Sequence, residues 1–131
     1  MKTVEQIKDV LAGCYGTQQY HRVSPIHGPV VLTDGALMLA KEAECFWLMD
    51  IIASYQSKCR KDEMLRQMQF WDVKVTGSTA VVTCSRDEGD VAISQKIPFT
   101  DFPFDSYRLY VAQQYINDDK YVMVVMLPSE Y

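Results

Sequence analysis

The sequence predicts a single α+β domain, with an N-terminal helix and a long buried helix packed on a five-stranded, mainly antiparallel sheet. Three observations carry this reading. Apolar residues recur at helical spacing in the first half of the chain. From residue 69 onward the pattern becomes short β-rich runs separated by turn residues. The length of 131 residues suits one domain with one core.

The first helix is expected over residues 3–13. Val4, Ile7, Val10 and Leu11 form its apolar stripe, and Glu5, Gln6, Lys8 and Asp9 form its polar side. Thr3 and Gln6 have the spacing of a capping box. Residues 14–29 read as irregular, broken by Gly16, Pro25, Gly28 and Pro29, and Val30-Val31-Leu32 as a short strand. Thr33 or Asp34 caps the long helix, expected over residues 36–56. Strands follow around 70–75, 79–84, 91–97, 107–111 and 121–127, all within 69–127, joined as an antiparallel meander. Val122 to Leu127 lacks polar alternation, which places that strand in the sheet interior, buried on both faces.

Net charge is −4, with Asp87, Glu88, Asp90, Asp101, Asp105, Asp118 and Asp119 gathered in the second half. These acids are candidate contacts for a basic protein partner. The one basic cluster, Lys58, Arg60, Lys61 and Arg66, is too small to suggest direct nucleic-acid binding, which draws on many phosphate contacts. No apolar run approaches the ~20 residues that span a bilayer. Cys14, Cys45, Cys59 and Cys84 form no C-x-x-C pair, so a reduced, cytoplasmic protein without disulfides is expected.

Several strings stand in a recognisable order: Gly16-Thr17 with Tyr20-His21-Arg22, Thr33-Asp34-Gly35, and Trp47-Leu48-x-Asp50-x-Ile52-x-Ser54-x-Gln56. Phe70-x-Asp72-x-Lys74, Thr100-Asp101-Phe102-Pro103 and Leu127-Pro128-Ser129-Glu130-Tyr131 follow. In that order and spacing the chain resembles the uncharacterised bacterial, plasmid and phage family called domain of unknown function 6876. The resemblance implies a soluble, mobile-element-associated protein. It assigns no catalytic role to any residue.

Asp50 is the residue that most needs explaining. It interrupts the apolar run Cys45 to Ala53, and a helix apolar nearly all round is a buried one. A buried carboxylate needs partners, since leaving it bare costs several kcal/mol. The sequence offers Tyr20, His21 and Arg22 as partners, with Asp34 and Trp47 nearby, forming a structural polar cluster or a ligand site. In the structural version Asp50 is a strut between helix and loop, and His21 bonds Asp50 or Asp34. A metal site from Cys14, His21 and His27 matches no usual zinc spacing, and neither a metal nor a cofactor is expected. The turn Thr33-Asp34-Gly35 reads as a helix cap rather than an anion site. Phe99, Phe102 and Phe104 form either a contact patch or a cover on the core. The terminal Tyr131 is expected to dock, with Glu130 or the terminal carboxylate meeting Arg22 or Arg108.

No nucleophile elbow and no phosphate loop is present, so the sequence favours a non-catalytic role. The first reading is a small binding module that uses an acidic face on a protein partner, an inhibitor of a host defence system being one such role. The second is a small-molecule or nucleotide binder with its site around Arg22 and Asp50. The third is self-association through edge strands and the aromatic terminus.

Overall fold

The computed structural model describes residues 3–13, 19–23, 30–115 and 120–131. Helix α1 spans Val4–Leu11, α2 spans Asp34–Glu42, α3 spans Phe46–Ser54, and α4 is a single turn, Gln56–Cys59. The strands are β1 (His21–Arg22), β2 (Val30–Leu32), β3 (Met68–Thr76), β4 (Thr79–Ser85), β5 (Val91–Ile97), β6 (Ser106–Tyr115) and β7 (Tyr121–Met126). A short 3-10 turn, Pro128–Glu130, follows β7.

The domain is α+β, and the sheet is larger than expected. Its seven strands run in the order β1-β2-β7-β6-β3-β4-β5. The five expected strands pair antiparallel in the order β7-β6-β3-β4-β5, but not as the expected meander. β3, β4 and β5 are consecutive neighbours, and β6 then returns past β4 to pair with β3, a Greek-key connection. Two further strands make the sheet mixed. β2, the short strand expected at Val30–Leu32 but not counted in the sheet, runs parallel to β7, with Val31 opposite Val124. β1, which was not expected, closes antiparallel on β2. They form because the side of β7 away from β6 must satisfy its backbone groups, and β2 does so. β7 is indeed interior, with Val122, Met123, Val124 and Val125 all buried.

The long helix is also corrected. Residues 36–56 form not one helix but α2 and α3 in succession, with α4 after them. The break is a Schellman motif. Cys45 N–H donates to Ala40 O at 2.9 Å and Glu44 N–H to Lys41 O at 3.4 Å. Glu44 holds the left-handed conformation, φ 52°, that such a stop requires. Glycine usually fills that position, so the sequence carries no stop signal there. The first helix matches its expectation: Thr3 Oγ1 accepts from Gln6 N–H and the Gln6 side chain accepts from Thr3 N–H.

Pairing and alternation sort the strand residues onto two faces. Trp71, Val73, Val82, Cys84, Leu109, Val111, Met123 and Val125 point to the helices and join Ile7, Leu39, Leu48, Met49 and Ile52 in one core. Phe70, Asp72, Lys74, Arg108 and Tyr110 lie on the other face. There Arg108 forms a two-pronged pair with Asp72, at 2.9 and 3.1 Å, and also lies over the Phe70 ring. Among the described residues, no helix is long and apolar enough to cross a membrane.

Candidate functional site

Asp50 is exposed, which overturns the buried-acid reading. Helix α3 buries Leu48, Met49, Ile52 and Ala53, and turns Phe46, Asp50 and Ser54 outward at four-residue spacing. Once the run is cut at Glu44, the remaining helix is short and needs only one buried face, despite its apolar composition. Ser54 Oγ donates to Ile51 O within its own helix, at 2.7 Å.

The expected cluster does not assemble. Tyr20, His21 and Arg22 lie at the β1 edge of the sheet, and α3 lies toward the β5 edge, where Tyr55 Oη donates to Gln95 Oε1 at 2.9 Å. At about 4.8 Å per strand spacing, those edges are roughly 30 Å apart. His21 instead bonds Asp34, Nε2 to Oδ1 at 2.8 Å, the second of its two expected partners. Arg22 is exposed opposite Val31, and Tyr20 is exposed beside the chain terminus. Cys14 and His27 lie outside the described residues. Among the described residues no group of three or more His, Cys, Asp or Glu side chains is placed to hold a metal.

The acids do not make one face either. Asp87, Glu88 and Asp90 sit at the β4–β5 turn, while Asp101 and Asp105 sit in the β5–β6 connection. The connections before and after one strand leave from its opposite ends, so β5 separates the two groups by roughly 20 Å. Asp118 and Asp119 lie outside the described residues. Asp90 is already engaged, pairing with Arg86 at 3.1 Å, and Arg86 also binds Asp62 at 2.7 Å. The Leu65 N–H and the Arg86 guanidinium hold the Asp62 carboxyl below its ordinary range.

Glu130 docks, on partners other than Arg22 or Arg108, while Tyr131, contrary to expectation, does not bury its ring. Glu130 accepts from Thr33 Oγ1 at 2.6 Å, from Gly35 N–H at 3.1 Å and from Leu127 N–H at 3.0 Å. Thr33 in turn accepts from Ala36 N–H at 3.1 Å. The start of α2 is therefore an anion site, as its free N–H groups allow, and the anion is the chain's own carboxylate. Tyr131 stays largely exposed, edge-on to Tyr110 with ring centroids 5.5 Å apart.

Two buried arrangements carry no signal in the sequence. Gln56 and Gln69 exchange side-chain hydrogen bonds at 2.9 and 2.8 Å, and Trp71 Nε1–H donates to Gln69 Oε1 at 2.8 Å. Cys59 and Cys84 are buried and share a hydrogen bond that lowers the pKa of the Cys59 thiol and raises that of Cys84. Burial pushes the third described thiol, Cys45, up to about 12. None of these groups opens onto a cavity, and they read as packing.

One open feature is a cleft of about 360 Å³ between α3 and the end of β5, lined by Trp47, Ile51, Ile97, Phe99, Thr100 and Asp101. The three phenylalanines divide here. Phe102 and Phe104 are buried, while Phe99 is 74% exposed. Phe102 packs edge-on against Trp47 at 6.3 Å and fixes that wall of the cleft. Phe46, the residue before Trp47, is 48% exposed. Asp101 adds the charge. Repeated exposed aromatics on adjacent elements distinguish this surface from the scattered apolar residues found on any protein.

No curated protein and no solved structure matches the chain. The family of unknown function DUF6876 matches over residues 5–131, nearly the whole length, and the chain belongs to that family.

Proposed function

We propose that the protein is a small non-catalytic module that binds another protein through the α3–β5 cleft. The observation that carries this reading is Phe99, which holds most of its ring in solvent beside a half-buried tryptophan. Burying such a side chain contributes about 1.5–3 kcal/mol, and aromatic anchors of this kind dominate protein interfaces. Asp101 suits a partner surface that combines apolar and basic residues, because complementary charge steers encounter and fixes register. An inhibitor of a host defence protein is one partner relation of this chemistry. That role rests on the resemblance to mobile-element proteins and not on these residues.

The test is affinity capture from source-cell lysate with the wild-type chain and with Phe99→Ser, at low and high salt. A protein retained by the wild type, lost by Phe99→Ser and weakened by salt is the expected result. An identical captured set for both chains would rule out this surface. Asp87→Asn with Glu88→Gln, at the far end of the sheet, should leave capture unchanged.

A further inference from the structure

A second cleft lies where β7 ends and β6 runs on. The last β6–β7 pair is Tyr110 opposite Met126, so Ser106 to Leu109 project past β7 while still paired to β3. The end of α1 and the terminal turn Leu127–Ser129 wall the resulting space, a cavity of about 580 Å³. Its volume falls in the range of small-molecule sites. It shares no lining residue with the α3–β5 cleft.

The chemistry of the lining is amphipathic. Leu11, Phe104, Tyr107 and Leu127 supply an apolar floor, and the Phe104 and Tyr107 rings pack at a tilt, centroids 5.0 Å apart, to hold it. Lys8 on α1 and Lys74 on β3 stand at the rim, both exposed. The carboxylate that lines the cavity, Asp72, is already held by Arg108 at 2.9 Å, so it does not neutralise the lysines. On a chain of net charge −4, this is a local excess of positive charge over an apolar hollow.

The geometry points to a binding site for a small amphipathic anion, an acyl or aromatic body bearing one carboxylate, sulfonate or phosphate head. The body would lie on Phe104, Tyr107 and Leu127, with the head between Lys8 and Lys74. A free fatty acid and an anionic lipid present the same chemistry, and the test separates them.

The experiment uses the full chain and three probes: decanoate, decanol, and vesicles of mixed anionic and neutral phospholipid. Binding is read by calorimetric titration and by shifts of the backbone amide resonances of Tyr107 and Leu127. Saturable decanoate binding, about tenfold weaker in Lys8→Gln/Lys74→Gln, is expected from two exposed ion pairs. Decanol should bind the wild type and the double variant alike, and more weakly than decanoate binds the wild type. Decanoate binding without vesicle binding assigns a free ligand, and vesicle binding lost in the double variant assigns a lipid. Phe99→Ser should bind decanoate as the wild type does, which keeps this outcome independent of the α3–β5 cleft. No saturable binding of any probe, or equal decanoate affinity in the wild type and the double variant, overturns the proposal.

Discussion

Gln69 has no exposed surface and makes four hydrogen bonds, the full capacity of its amide. It accepts from Gln56 Nε2 and Trp71 Nε1, and donates to Gln56 Oε1 and Leu65 O. Gln56 is the lesser partner: apart from this exchange it donates only to Ile52 O. The two positions should therefore differ on substitution. Gln56→Leu strands one donor, on Gln69, at a cost of about 1–3 kcal/mol. Gln69→Leu strands one on Gln56 and the Trp71 indole N–H, about twice that cost. Urea unfolding of both variants checks the order, and an equal or reversed ranking would contradict the network. The sequence hid this group because glutamines at 56 and 69 are indistinguishable from surface polar residues. Asp50 misled in the opposite sense, since its apolar neighbours suggested burial for a side chain that faces water.

At the scale of elements, the decisive features are stops and clasps. Glu44 ends α2 in a conformation that costs a non-glycine residue about 1–2 kcal/mol. The stop is imposed by the packing of α2 and α3 on one core rather than by local preference. The Glu130 clasp joins residues about a hundred positions apart, from the turn after β7 to the start of α2. Gly35 makes this approach possible, because a Cβ there would sit 2.6 Å from Glu130 Cδ and 2.8 Å from Leu127 Cδ1. Alanine in place of a helical glycine ordinarily stabilises by about 0.5–1 kcal/mol. Here Gly35→Ala is expected to destabilise the full chain, and to destabilise it less in a Glu130→Ala background, where only the Leu127 contact remains. Thermal melts of the single and double variants decide the matter: the same loss in both backgrounds would mean that the clasp does not govern this glycine.

Over the whole molecule, one ion network ties the helical side of the fold to the far end of the sheet. Asp62 follows α4 and accepts from Met64 and Leu65 N–H, while Arg86 reaches it from the end of β4 and also holds Asp90. Because the folded protein lowers the Asp62 pKa from its ordinary 3.8, its stabilisation is present above that value and is lost as pH falls through the depressed folded value. Stability should therefore fall on acidification below the ordinary carboxylate range, and fall less steeply in Asp62→Asn. Urea midpoints measured across that window provide the check. Parallel slopes would show that Asp62 is not one of the acid-labile contacts.

The sequence by itself determined the elements with strong local signals. The capping box at Thr3 and Gln6 fixed the start of α1. The five alternating or continuous β runs located β3 to β7, though not their order in the sheet, and the continuous run from Val122 placed β7 in the interior. The same order of short motifs was enough to identify the family. Only the tertiary structure decided the rest. The parallel β2–β7 pairing, the break at Glu44 and the meeting of Glu130 with Thr33 join residues far apart in the chain or impose a conformation that no local residue prefers. The same holds for function. Trp47 and Asp101 were visible as residues, but the cleft they share exists because β5 ends beneath α3. Periodicity records which face of an element is apolar. Which elements meet is set by the free energy of the assembled core, and that is not written in any one segment.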